Sequence, residues 1–159
     1  MRFAPALPST LLIDTNLLLV LLVGDQDRLQ VPRFKRTSRF TPEDYDLLAE
    51  FVAAFREVVI TPNVLTEVSN LAGQLREPLR TQVFDRLGDF ASQAGERYVP
   101  SREVVEEHDF ARFGLTDLSV VLAARERFAV LTDDLGLYLR LMEDDVHVVN
   151  FNHLRATTP

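Results

Sequence analysis

The sequence predicts an α/β fold: a three-layer α/β/α arrangement with a central, mainly parallel sheet of four to five strands. Short apolar runs with β-branched residues alternate along the chain with longer segments that have helical apolar spacing. Strands that alternate with helices in this way form parallel sheets covered by helices on both faces. The length of 159 residues suits one ordinary domain, so residues 1–159 are predicted to form a single unit.

Five segments have the composition of strands. Residues 10–14 and 58–60 are short apolar runs, and residues 97–99 form a shorter one. Residues 129–132 and 146–149 complete the set. Each run is bounded by helical segments or turn residues, as expected for buried strands.

Helical segments separate these strands. The clearest helix start is Thr41-Pro42-Glu43-Asp44, with an N-cap threonine, a proline at the first position and acids in the first turn. Residues 25–41 are polar and basic and are predicted to be an irregular loop, and residues 150–159 a tail. The predicted helices cover residues 17–23, 42–55, 62–71, 78–94, 102–107, 118–128 and 135–142.

Composition limits the kinds of site that the chain can build. There is no cysteine, and the three histidines are widely spaced, so disulfides and zinc sites built from cysteine or histidine are disfavoured. A metal would be held by oxygen atoms, which favours Mg²⁺, Mn²⁺ or Ca²⁺. The longest apolar stretch, residues 17–24, is too short to span a bilayer, and no signal peptide is evident. We therefore expect a cytoplasmic protein with no membrane partner.

Acidic residues follow two of the predicted strands directly. Asp14 ends the first strand and is followed at once by a helix, and Asp133 and Asp134 follow the strand at 129–132 in the same way. Open parallel sheets place their sites at the carboxyl ends of strands, and neighbouring strands would bring these acids together. Helix capping is the ordinary alternative role, but adjacent acids repel, so capping explains the Asp133–Asp134 pair less well.

Glu67 and Asp117 are two further acidic candidates. Glu67 shares a helix face with Val64 and Leu71, and a carboxylate on a buried face needs a partner; the alternative is a surface glutamate. Asp117 heads a strongly apolar helix, where it is either an N-cap or an acid that faces the cleft. Carboxylates that converge repel each other unless a divalent cation neutralises them. The first hypothesis is therefore a Mg²⁺ or Mn²⁺ site for phosphodiester chemistry.

The net charge of −7 argues against a nucleic-acid partner, because phosphate backbones favour basic surfaces. Positive charge is nevertheless concentrated after the first helix, and sixteen of the seventeen basic residues are arginine, the better bidentate phosphate ligand. A solvated loop is the alternative interpretation of this segment. The candidate nucleic-acid contacts in it are Arg33, Lys35, Arg36 and Arg39.

Four short motifs, taken in order, resemble the PIN domain, a family of metal-dependent nucleases. They are Leu12-Ile13-Asp14-Thr15-Asn16, Pro62-Asn63-Val64-Leu65-Thr66-Glu67-Val68, Leu115-Thr116-Asp117 before an apolar helix, and Val130-Leu131-Thr132-Asp133-Asp134. The resemblance covers the whole chain, with residues 26–45 as its least typical part. The catalytic metal ligands that it implies are Asp14, Glu67, Asp117 and Asp134, with Asp133 as a further candidate and with Asn16 and Thr132 as supporting polar groups.

The resemblance also implies an activity, the hydrolysis of phosphodiester bonds in single-stranded RNA with Mg²⁺ or Mn²⁺ as cofactor. Many bacterial relatives are toxins of toxin–antitoxin pairs and are often dimeric, which adds a protein antitoxin and a homodimer to the candidate partners. Two alternatives stay open: a nuclease that acts on DNA, and a PIN-like binding module without catalysis. A haloacid dehalogenase-type phosphotransferase is disfavoured, because Asn16 replaces the second aspartate of that chemistry and Lys35 is the only lysine.

Overall fold

The structure, a computed structural model, describes residues 7–158, and its centre is a sheet of five parallel strands. The order across the sheet is β3-β2-β1-β4-β5. This arrangement confirms the predicted α/β class and the parallel sheet. The strands are β1 (Thr10–Ile13), β2 (Glu57–Ile60), β3 (Gly95–Glu96), β4 (Ala129–Thr132) and β5 (Val148–Asn150).

Helices flank the sheet in a three-layer α/β/α arrangement. A 3-10 helix, Arg28–Arg33, follows the first of them. No helix in the range 7–158 is both long and apolar enough to cross a membrane. The α-helices are α1 (Thr15–Gln26), α2 (Pro42–Ala53), α3 (Pro62–Ala72), α4 (Leu79–Gln93), α5 (Ser101–Val104), α6 (Phe110–Ala124), α7 (Leu135–Glu143) and α8 (Phe151–Thr157).

The first helix is longer than predicted, because Gly24 does not end it. α1 continues to Gln26, and Gly24 lies inside it, in contact with the ring of Tyr45. A Cβ atom at position 24 would lie 2.1 Å from that ring. Gly24 is thus required by the close approach of α2 to α1 rather than by a helix end. Most residues of α1 are buried, which explains why its sequence is apolar.

Other boundaries also differ from the sequence predictions. The largest difference is at α6, which covers Phe110–Ala124 and not residues 118–128. The edge strand β3 pairs with β2 at Gly95–Glu96, two residues before the predicted strand at 97–99. The predicted loop at 25–41 contains the 3-10 helix, and the predicted tail contains α8, whose N-cap is Asn150. Short elements with two to seven residues have weak apolar periodicity, so their positions depend on tertiary contacts that the sequence does not reveal.

β1 and β4 are neighbours at the centre of the sheet. From β1 the chain adds β2 and β3 on one side, and it then returns to add β4 and β5 on the other. Leu12 of β1 is in register with Val130 of β4, and the Asp14 backbone N–H donates a hydrogen bond of 3.1 Å to the Leu131 carbonyl. β2 and β3 lie on one side of this pair, and β5 lies on the other. A parallel sheet opens a crevice at such a switch point, beyond the carboxyl ends of its strands.

A buried arginine joins the end of α7 to the segment before α6. The Arg140 side chain is 6% exposed and forms ion pairs with Asp109 at 2.6 Å, Asp144 at 2.8 Å and Glu107 at 3.4 Å. Arg125 forms a second, more exposed bridge between Glu107 and Asp144. This network fixes α7 against α6. Asp134 lies at the start of α7, and Asp117 lies inside α6.

We expect Arg140→Met to lower the free energy of unfolding by about 2 kcal/mol, because it leaves three partly buried carboxylates without their buried partner. Arg80→Met is the matched control: its ion pair with Glu77 is exposed, so the loss should stay below about 1 kcal/mol. Chemical denaturation of both variants measures the difference. Equal losses in the two variants would show that the Arg140 network contributes no more than a surface pair.

Candidate metal centre

Asp14 is the most firmly held carboxylate of the predicted site. It is buried at the end of β1, where Oδ1 accepts a 2.7 Å hydrogen bond from the Thr15 backbone N–H and Oδ2 accepts one of 2.7 Å from the Thr132 hydroxyl. Burial raises the pKa of Asp14, the two hydrogen bonds oppose this increase, and the charges of Asp134 and Glu67 add to it. Its orientation is therefore fixed by the two strands that meet at the switch point.

Asp117 reaches the same place because α6 is kinked. Gly114 has φ 78° and ψ −177°, a left-handed value that favours glycine, and it divides the helix in two. Asp117 lies in the first turn of the second part. Burial raises the pKa of Asp117 to about 7, and the charges of Asp14, Asp134 and Glu67 contribute to the increase.

A buried hydroxyl pair holds α6 against the start of α3. The hydroxyls of Ser119 and Thr61 are 2.9 Å apart, and both side chains are fully buried. Ser119 also donates to the Thr116 carbonyl, at 2.6 Å, and Thr61 caps α3 through the Val64 N–H. The pair fixes the helix that carries Asp117 relative to the helix that carries the fourth acid, Glu67.

Glu67 faces an open cavity from an exposed position, as the surface alternative predicted, and not from a buried helix face. Val64 and Val68 are buried, but Glu67 itself is exposed. Its Oε2 accepts a 3.0 Å hydrogen bond from the Thr15 hydroxyl, one residue after Asp14. Thr15 thus holds Asp14 through its N–H and Glu67 through its side chain.

The four acids line one cavity of about 250 Å³ at the carboxyl edge of the sheet. They come from the ends of β1 and β4, from the middle of α3 and from the part of α6 that follows the Gly114 kink. Asp134 lies at the N-terminus of α7, where its Oδ1 accepts from the Leu137 N–H. The full lining is Asp14, Thr15, Asn16, Glu67, Asn70, Leu71, Asp117 and Asp134.

Asp133 points away from this cavity. Its side chain is fully buried and forms an ion pair with Arg39, while its backbone carbonyl accepts from the Asn152 side chain. Its Oδ1 atom has no hydrogen-bond partner in the described chain. Asp133 therefore joins the segment around Arg39 to the end of β4, and Asp134 is the acid of the pair that faces the cavity.

The predicted basic contacts fall into separate groups. The Arg39 side chain forms an ion pair with Asp133, and the Arg39 backbone carbonyl accepts a hydrogen bond from the Arg155 side chain. Arg36 donates a 2.8 Å hydrogen bond to the side chain of Gln74, near the C-terminal end of α3. Arg33 and Lys35 line a second cavity, next to that end of α3 and outside the acidic one.

The donor atoms of the acidic cavity fit a hard divalent cation. All of them are oxygens, which Mg²⁺ and Mn²⁺ prefer, and no soft sulfur or imidazole ligand is present among the lining residues. Within residues 7–158, no hydrogen bond is formed by the carboxylate of Asp117, by Oε1 of Glu67 or by Oδ2 of Asp134. These oxygens are free to bind. Burial, and after it the charges of the other three acids, raises the pKa of Asp117, and a bound cation would offset both effects.

A tighter group of ligand atoms lies elsewhere, at Glu107, His108 and Asp109, where they approach within 4.8 Å of one another. The carboxylates of this group are bound to arginine: Asp109 and Glu107 both pair with Arg140. His108 is 81% exposed. A cation there would compete with a buried guanidinium for the same oxygens, so we assign this group to the stability of the fold.

Three polar residues of the site are not evident from the sequence. Thr15 lies inside the first motif, but its hydroxyl bonds to Glu67 only because the end of β1 lies close to α3, a distance that the sequence does not give. Asn70 lies one turn after Glu67 on α3, and this helical spacing could have predicted that the two side chains share a face and line the same cavity. Ser119 is the single polar residue in the run 118–124, and its partner Thr61 is distant in sequence.

Comparison of the chain with profiles of known protein families and with curated proteins returned no match. The functional assignment therefore depends on the side chains of the site and on the resemblance of its motifs.

We expect the metal-free protein to be less stable at pH 8 than at pH 6. The folded-state pKa of Asp117 is raised to about 7, above the unfolded value of 3.8, so its contribution to stability is present at low pH and is lost as the pH rises through 7. The difference in the free energy of unfolding should be about 1 kcal/mol. Denaturation in EDTA at both pH values measures it.

Asp117→Asn is the control for this pH dependence. An asparagine does not titrate, so the variant should lose most of the difference between pH 6 and pH 8. A variant with the same pH dependence as the wild type would exclude Asp117 as its source.

Proposed function

We propose that the chain is a divalent-metal-dependent nuclease that hydrolyses phosphodiester bonds in single-stranded RNA. The observation that supports this most directly is the convergence of Asp14, Glu67, Asp117 and Asp134 on one open cavity. Clustered carboxylates at the switch point of a parallel sheet are suited to a metal that assists phosphoryl chemistry. The choice of RNA derives from the resemblance of the four motifs to the PIN domain.

The chain's own residues would hold and orient the reacting groups. Bound Mg²⁺ or Mn²⁺ would supply the positive charge that activates water and stabilises the phosphoryl oxygens during in-line displacement. Asp14, kept in place by Thr15 and Thr132, would provide the most rigid ligand. Glu67, Asp117 and Asp134 would provide the other carboxylate ligands.

Two amides complete the polar lining. Asn16 and Asn70 lie at the cavity, and their side-chain N–H groups can donate to the phosphate oxygens that flank the cleaved bond. No nucleophilic side chain is needed in this scheme, which agrees with a sequence that has no cysteine. The protein antitoxin and the homodimer that the resemblance implies stay predictions.

We expect Mn²⁺ to raise the melting temperature at neutral pH, because a ligand that binds the native state stabilises it, by about 2.7 kcal/mol at a hundredfold excess over Kd. Asp117→Asn should lose most of this effect. Differential scanning fluorimetry with and without Mn²⁺ measures the shift.

Two control variants locate the metal. Asp85→Asn removes an exposed acid of α4 remote from the cavity lining, and it should respond to Mn²⁺ as the wild type does. His108→Ala should also respond normally. A lost response in the His108 variant would move the metal to the group at Glu107 and Asp109.

We expect wild-type protein to cleave end-labelled single-stranded RNA in Mn²⁺ but not in EDTA. Asp134→Asn should lower the rate about 100-fold or more, because it removes a ligand of the reacting centre. Asp133→Asn is the matched neighbour. It should keep cleavage in the range of the wild type, since Asp133 points away from the cavity.

The alternatives give different results in the same assay. Cleavage of matched DNA in preference to RNA would assign the site to a DNA nuclease. Binding of Mn²⁺ without cleavage of either polymer would support the binding module. No Mn²⁺ response and no cleavage would reject the metal site itself.

A further inference from the structure

The basic residues of this acidic chain differ in whether an acid neutralises them. In residues 7–158, eight of them form ion pairs with acids: Arg28, Arg39, Arg80, Arg86, Arg97, Arg125, Arg140 and Arg155. Arg33, Lys35, Arg36 and Arg76 are among those that form no ion pair within the same range, and all four are exposed. These four lie together, at the segment after the 3-10 helix and at the end of α3.

A cavity of about 600 Å³ lies between these residues. Arg33, Lys35 and Arg76 line it, and Arg36 is bound to Gln74 at its edge. Phe34 lines it as well. A basic groove next to an aromatic side chain is typical of sites that bind single-stranded nucleic acid without sequence preference.

Two acids also line the cavity, and both are already hydrogen-bonded. Asp27 accepts from the Leu29 N–H at 3.0 Å and from Gln30, so it serves as the cap of the 3-10 helix. Glu77 accepts from the Thr81 hydroxyl at 2.7 Å. These hydrogen bonds leave both carboxylates negative, but three basic residues line the cavity against two acids, so the net charge of its lining is +1. Glu77 is also paired with Arg80.

The basic cavity lies next to the C-terminal end of α3, the helix that also lines the acidic cavity. Glu67, Asn70 and Leu71 of α3 line the acidic cavity, and Gln74, just past the end of the helix, lines the basic one. The seven residues from Glu67 to Gln74 span about 10 Å at helical rise. At about 3.4 Å per stacked nucleotide, this distance corresponds to about three nucleotides.

We propose that the cavity lined by Arg33, Lys35 and Arg76 binds a backbone phosphate of the substrate strand about three nucleotides from the bond that is cut. This inference deepens the proposed nuclease function and rests on it. The unpaired basic residues would hold the strand in place while the acidic site holds the reacting phosphate. The cavity then compensates locally for the net charge of −7, which repels nucleic acid elsewhere.

The test measures RNA binding by fluorescence anisotropy, in Mg²⁺ and on an Asp117→Asn background that limits cleavage. The test variant replaces Arg33, Lys35 and Arg76 with glutamine. The matched control replaces Arg56, Arg102 and Arg127 with glutamine; these are also exposed and outside any ion pair of the described chain, but they lie away from the cavity.

The test variant should bind an RNA of about ten nucleotides about tenfold more weakly than its parent, and the slope of log affinity against log salt should fall by about 2. The control should stay within about twofold of the parent. The parent should bind an RNA of about six nucleotides more tightly than one of about two, because only the longer RNA reaches the cavity. In the test variant this difference in affinity should disappear.

Equal affinities of the test variant and the control would overturn the inference, and so would the absence of RNA binding by the parent. Competition by a polyglutamate peptide as effective as competition by RNA would also overturn it, since the cavity would then bind anions in general. Cleavage by wild-type protein is scored separately. RNA binding that depends on the three residues, without cleavage of RNA, would support the phosphate-binding cavity but would reject the nuclease, and with it the position of the cavity relative to a cut bond.

Discussion

The parallel pairing of β1 with β4 is the constraint on which the rest of the site depends. It places the ends of two strands side by side, so that the Asp14 N–H bonds to Leu131 and the Thr132 hydroxyl bonds to Asp14. A buried carboxylate is costly unless it is hydrogen-bonded. Asp14 meets that condition only when β4 is its neighbour, and the same contact brings Asp134 to the cavity.

The other two acids depend on contacts between helices. The Gly114 kink sets where the second part of α6 begins, and the Thr61–Ser119 hydroxyl pair sets how that part packs against α3. Because both hydroxyls are fully buried, they are satisfied only by each other and by nearby backbone groups, which allows little freedom in the packing. Glu67 and Asp117 are brought together by this junction, although they are fifty residues apart in the sequence.

Local sequence pattern was sufficient to predict the sheet and one edge of the site. The alternation of apolar strands and helices predicted the parallel sheet, and the position of an acid directly after β1 and β4 predicted the edge at which Asp14 and Asp134 lie. The resemblance favoured Asp134 over Asp133, but the strand pattern alone could not exclude Asp133, because both follow the strand. The ion pair with Arg39 and the cavity lining distinguish them in the structure. The strand β3 and the Thr15–Glu67 hydrogen bond depend on tertiary distances, and no local signal encodes them.

The ion pair between Arg39 and Asp133 has a consequence for how the molecule can vary. It attaches the polar segment after the 3-10 helix to the end of β4 through a residue that does not face the acidic cavity. The Arg39 and Arg155 side chains also pack on the ring of buried Phe40, which strengthens that attachment. Exposed side chains between Phe34 and Arg39 can therefore be exchanged without moving the four carboxylates. The sequence of this exposed segment can thus vary while the geometry of the acidic cavity stays the same.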